Sequence, residues 1–202
     1  MIKTINKAIY IVFFYLRKTY CTLCFRFIMR LNGVKYGKSI TSINGVPMLR
    51  ISLKSGNVVL GDNVVFNNYN DAGWCSKCSI WVRPQAQLNI GDYSGFNGVF
   101  IYVAQQIWIG KNVKVGGGTR IFDTDFHPLD YMERRNTVHG TKTAPVIIED
   151  DVFIGTNCII GKGVTIGARS IIAAGAVVVK SIPSDEIWGG NPAKFIRKIG
   201  NS

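Results

Sequence analysis

The chemistry-bearing residues of this chain gather in Asp123-Thr124-Asp125-Phe126-His127-Pro128. An imidazole takes and returns a proton near neutral pH, so His127 is suited to act as general base toward a hydroxyl. A carboxylate beside it would hold the ring and stabilise the imidazolium. Asp125 is the nearer candidate and Asp123 the next. Pro128 stiffens the backbone directly after the ring. No cysteine or serine is paired with His127 in the sequence, so no covalent enzyme intermediate is expected. The other histidine, His139, reads as incidental.

What positions His127 is a repeat of period six. Ile148, Ile154, Ile160, Ile166, Ile172 and Val178 are spaced by six residues, and Gly155, Gly161 and Gly167 directly follow three of them. Earlier fragments are Leu60-Gly61, Ile90-Gly91, Ile109-Gly110 and Val115-Gly116, with Ile121 next. Such a period fits neither a helix nor a plain alternating strand. It fits a three-sided coil in which each hexapeptide makes one short strand and one corner, with the aliphatic residue pointing inward and a small residue at the corner. Three hexapeptides close a coil, coils stack at about the ordinary strand spacing of 4.8 Å, and the two ends need caps. The register that reaches Ile121 fails at 127 and resumes at Ile148, so residues 127–145 are expected as a loop extruded from one coil, with His127 at its root. A second, irregular excursion is expected within 66–100.

Three segments follow: a helical segment and linker over 1–44, the repeat domain over 45–190, and a short C-terminal helix and tail over 191–202. Residues 3–31 lack Gly and Pro, and Lys7, Lys18, Thr22, Arg26 and Arg30 fall on one stripe of a helix. The first 61 residues carry ten basic residues and no acidic one, so +10 of the net +12 lies there. Such a helix is expected to be retained and to lie on the cytoplasmic face of a membrane with its cations near anionic head groups, or else to pack on its own domain or a partner. A signal peptide is disfavoured by the missing cleavage site, and a spanning helix by its internal cations. The near-neutral remainder argues against nucleic acid as a partner. With 47% hydrophobic and 18% charged residues the chain is not of disordered composition. Its five cysteines include two CxxC pairs 51 residues apart, too far for a zinc ribbon, so reduced thiols and no metal are expected.

The hexapeptides resemble those of the hexapeptide-repeat acyltransferases over roughly 45–199, and IFDTDFHPLDYMERR looks like the catalytic segment of bacterial sugar and polysaccharide O-acetyltransferases of that class. The resemblance implies a mainly β fold, a left-handed parallel β-helix, with acetyl-CoA as co-substrate. It makes His127 the base for direct attack on the acetyl thioester, in surface polysaccharide synthesis. The run AAGAVVVKSIP…GGNPAKFIRKI resembles the acetyl-CoA end of these enzymes. It implies Thr156 and Ala174 on the pantetheine arm, Val179 and Lys180 on the next turn, and Lys194 and Arg197 toward the nucleotide, with Asn97 and Asp123 as acceptor contacts. Relatives of this class are generally homotrimers with active sites shared between subunits. An N-acetyltransferase acting on an amino-sugar nucleotide or small amine, and a non-catalytic scaffold, are the rival readings. The oxyanion is expected to meet a backbone N–H of the Gly116–Gly118 turn or of a neighbouring chain.

Overall fold

The computed structural model describes residues 2–51, 57–71, 74–136 and 140–200. The period of six closes into a left-handed parallel β-helix with three faces. Ile148 pairs with Ile166 on the first face, Ile154 with Ile172 on the second, and Ile160 with Val178 on the third. All six side chains are at most 1% exposed. Each is buried inside the prism, worth roughly 1.5–3 kcal/mol per side chain. Among the described residues the first and third faces hold six strands each, and the second holds eight.

Glycine after the aliphatic residue is required at Gly91 and Gly116 by close approach rather than by corner conformation. A Cβ on Gly91 would lie 2.6 Å from the carbonyl carbon of Gly110 in the next coil, and one on Gly116 would lie as close to Gly155. The left-handed backbone of the corner falls two residues further on, at Asn63, Tyr93, Asn112 and Asp151.

The coils begin earlier than residue 45. Lys35–Tyr36 pairs with the strand at Val58–Leu60, and Thr41–Ile43 with Val65–Asn67. This first coil lacks the aliphatic code because a helix fills its interior. Helix α1 (Ile2–Leu31) lays Cys21, Phe25 and Met29, all buried, across the open end of the prism. Phe25 meets Phe66 edge-on at 5.4 Å, and Phe66 stacks on Phe96 at 5.2 Å. The polar stripe of α1 also faces the prism. Thr22 Oγ1 donates to the Ser42 carbonyl at 3.2 Å and accepts from Ser42 N–H at 3.1 Å. The Arg26 guanidinium donates to the carbonyls of Ile40 and Lys38 at 3.0 and 3.1 Å, and Arg17 to that of Asn44 at 3.1 Å. Arg17, Thr22 and Arg26 thus bond to polar groups of a first coil that has no coil before it.

At the other end the expected helix after Pro192 is instead a strand. Lys194–Lys198 pairs antiparallel with Glu186–Gly189, which itself continues the second face beside Ile171–Ile172. Five residues are too few to gain from a helix, whereas a strand satisfies the backbone edge that Glu186–Gly189 would otherwise expose. The excursion within 66–100 is narrow. It consists of the hairpin Tyr69–Asp71 and Trp74–Ser76, and register is kept at Gln87–Ile90, Gly95–Asn97 and Phe100–Val103.

The cysteines are free thiols where described. Cys21 and Cys24, one turn apart on α1, are buried and half-buried respectively. Burial pushes the Cys78 thiol up to about 11 and raises that of Cys158. At pH 8 both remain protonated, and thiolate is the reactive form. Iodoacetamide should therefore label Cys24 of the native protein well before Cys78 or Cys158, which should react only in denaturant. Peptide mapping that finds Cys158 modified in the native protein would contradict this burial.

Candidate active site

The loop root is built by short-range pairing. Thr124 bridges Thr143 antiparallel, Ala144 N–H donates to the Asp123 carbonyl at 3.0 Å, and Asp125 N–H to that of Lys142 at 3.1 Å. Between these ties the chain turns outward. Phe126 takes a left-handed backbone, φ 63°, with its N–H on Thr124 Oγ1 at 3.1 Å. Its ring lies 4.8 Å from Tyr102 and 5.2 Å from Phe122, centroid to centroid. That conformation costs on the order of 1 kcal/mol for a non-glycine residue, and the aromatic contacts hold it. The loop is not structureless: helix α2 (Tyr131–Asn136) is capped by Asp130 Oδ1, which accepts from Met132 and Glu133 N–H at 2.8 and 2.9 Å. Arg134 donates back to the carbonyls of Pro128 and Leu129 at 3.2 and 3.1 Å. His127 thus stands exposed between an anchored Phe126 and a buried Pro128. His139 lies outside the described residues.

Both aspartates depart from the roles their spacing suggests. Asp125 forms an ion pair with Lys162 at 3.4 Å, and among the described residues it makes no hydrogen bond to His127. Lys162 comes from the Gly161–Gly163 corner one coil above and was not expected from sequence. Asp123 is buried, and its carboxylate accepts the N–H groups of Ala104, Gln105 and Gln106, each at 2.7 Å. Burial raises its pKa above the ordinary carboxylate value, while the three N–H groups pull the other way. This oxygen pair is saturated by backbone, so Asp123 is a turn-holding residue rather than an acceptor contact. Asp123→Asn would aim an amide N–H at an N–H donor, at a cost of about 1–3 kcal/mol. Urea unfolding should show that loss. A raised acceptor KM with unchanged stability would restore the acceptor role.

Asn97 is likewise engaged. Asn44 donates to Asn67 Oδ1 at 3.0 Å, and Asn67 to Asn97 Oδ1 at 3.1 Å, making a ladder along the second face. The Asn97 amide reaches the Val115 carbonyl at 3.5 Å, the long limit of such a bond. In the turn proposed for the oxyanion, the N–H groups of Gly116 and Gly118 already bond to Ile154 and Gly98. The Trp81 ring is covered by Arg50, 4.4 Å above it, and by Phe100 and Tyr102. The side chain of Trp74 lies outside the described residues.

The three corners sort the remaining candidates. His127, Asp125 and Lys162 lie where the third face turns into the first, and exposed Val179 and Lys180 lie on the same corner two coils above the loop root. Thr156, Ala174 and Asn97 lie on the corner between the second and third faces. Lys194 and Arg197 are exposed on the terminal hairpin. One chain therefore splits the candidate residues across opposite edges of its third face. Among the described residues no group of three His, Cys, Asp or Glu side chains could hold a metal ion.

The family model "Hexapeptide repeat of succinyl-transferase" matches residues 145–180. Among curated proteins, a Schizosaccharomyces pombe protein provisionally named an acetyltransferase is 43% identical over 54% of this chain and 51% of its own length. The tetrahydropyridine-dicarboxylate N-acetyltransferase of Staphylococcus aureus is 38% identical over 44% of this chain and 32% of its own. Among solved structures, a hexapeptide-repeat acetyltransferase of Vibrio cholerae complexed with acetyl-CoA is 40% identical, covering 56% of this chain and 61% of that one, with a TM-score of 0.52. A galactoside acetyltransferase in complex with coenzyme A is 30% identical, covering 60% and 62%, with a TM-score of 0.50. The chain spans about half the length of the first curated relatives it matches. Residues 145–180 thus match a hexapeptide-repeat family model, and the left-handed β-helix is the fold of the hexapeptide-repeat acetyltransferases to which the chain is similar.

Proposed function

We propose that this chain is an acetyl-CoA-dependent O-acetyltransferase that acts on a sugar hydroxyl in the synthesis of a surface polysaccharide, with His127 as general base. The observation that carries this reading is the exposed imidazole at the root of a braced loop, in line with a corner that rises over two further coils. Stacked corners about 4.8 Å apart suit an extended pantetheine arm, whose thioester then ends near the loop root. His127 takes the proton of the acceptor hydroxyl, whose oxygen attacks the thioester carbonyl. The C–S bond of the tetrahedral intermediate breaks, and the departing thiolate takes the proton from the imidazolium. The Lys162–Asp125 pair keeps a cation beside the loop root, where negative charge develops on the oxygen.

The split between corners favours a threefold assembly in which His127, Val179 and Lys180 of one subunit face Thr156, Ala174 and Asn97 of the next, closing a groove neither subunit forms alone. The exposed Lys194 and Arg197 would then meet the nucleotide end of the donor. Dependence on acetyl-CoA favours a cytoplasmic site of action. The S. aureus relative keeps N-acetylation as the second reading. Release of free thiol from acetyl-CoA across a panel of glycans and amino sugars tests both. Turnover with amines alone would replace the first reading with the second, and no turnover with any acceptor would remove both.

A further inference from the structure

The cap helix carries a second apolar face. Cys21, Phe25 and Met29 are spent on the prism, but Phe13, Leu16, Tyr20, Leu23, Phe27 and Leu31 are each 60–69% exposed. Their spacings of three and four residues put them on one stripe, about half a turn around α1 from Phe25. Tyr10, Val12 and Tyr15 on the same helix are exposed as well, and a contiguous apolar strip of that size marks an interaction surface. The charges beside it choose the partner. Exposed Arg30, Lys35 and Lys38 stand at the same end of the prism, within the first 61 residues, which hold ten cations and no anion. Arg26, Arg30 and Lys38, with Asp62 as the one anion, also line an open groove of about 590 Å³ beside the helix.

We infer that this outer stripe of α1 rests on an anionic lipid surface, so that the prism stands end-on to the membrane. From Lys7 to Leu31 the helix is long and apolar enough to cross a bilayer. Crossing would strip Cys21, Phe25 and Met29 from the core they close. The stretch before Cys21 is about 28 Å long and includes Lys7, Arg17 and Lys18. The helix therefore lies flat, with apolar side chains in the interface and cations among the head groups. Of the cations expected near head groups from sequence, Arg26 instead holds the helix to the prism, together with Thr22 of the same stripe. This inference does not rest on the acetyltransferase reading, and its test needs no substrate.

Full-length protein should sediment with vesicles containing phosphatidylglycerol and much less with pure phosphatidylcholine, and the difference should shrink in high salt. Leu16→Glu/Leu23→Glu should lower partitioning by about tenfold or more and leave the circular dichroism and the sedimentation coefficient in solution unchanged. Tyr20→Trp should gain fluorescence that brominated lipids quench. Equal binding of the double variant and the parent would overturn the inference. So would failure of the parent to bind phosphatidylglycerol vesicles. A fall in oligomer size on Leu16→Glu/Leu23→Glu would assign the stripe to contacts between copies of the chain and equally overturn it.

Discussion

His127→Ala should lower kcat by roughly 10²–10⁴-fold while the affinity for acetyl-CoA stays near that of the parent. The imidazole makes no hydrogen bond among the described residues, so its removal breaks no internal tie. The loop root is fixed by others: Phe126 on Tyr102 and Phe122, Thr124 on Thr143, Arg134 on Pro128 and Leu129. The substitution is therefore a clean test of proton transfer. Stopped-flow or steady-state kinetics, with a separate titration of donor binding, reads it. Activity near that of the parent would remove His127 as the base, and a large loss of donor affinity would make it a donor contact. Asp125→Asn should act differently, because it breaks the ion pair with Lys162 rather than a support of the imidazole.

Mixed assemblies of two impaired variants should regain activity that each variant alone lacks. His127→Ala damages the corner between the third and first faces, and Ala174→Trp would block the corner between the second and third. If each site draws one corner from each of two subunits, a one-to-one mixture refolded together has both intact corners at about one site in four. About a quarter of the parental rate is then expected, read as thiol release from the mixture against the two variants alone. A mixture as inactive as its components would place each site within a single chain. A stable, active monomer in sedimentation would do the same.

The repeat was open to reading because burial enforces it: every sixth residue from Ile148 to Val178 must fill the prism, so the pattern survives in the letters. The same logic exposed the extruded loop, since register failed between Ile121 and Ile148, and with it His127. The first coil stayed hidden because α1 supplies its interior, leaving Tyr36 and Ser42 where aliphatic residues would have signalled it. The partners of Asp123 lie 17–19 residues back, and Lys162 lies far ahead of Asp125. Those distances follow from the length of each coil and of the loop between coils, which no local motif records. Asn97 presented the same difficulty. Asn67 lies 30 residues before it, and that separation includes the hairpin at 69–76. The terminal hairpin was missed for a different reason: Ala193–Ile199 has no local strand signature, and its conformation is set by the edge it covers.

The unlike ends of the prism also decide how the protein can fail. A parallel coil offers the same row of donors and acceptors at its top as it takes up at its bottom. Only α1 at one end and the hairpin at the other prevent copies from continuing each other's faces. Head-to-tail stacking of that kind has no closing symmetry, so it grows without limit. A proteolytic product trimmed at both ends, after the cap helix and before Glu186, would polymerise along its own axis into a filament of uniform width. The intact chain, and a product that keeps either cap, would end that growth at the first or second copy.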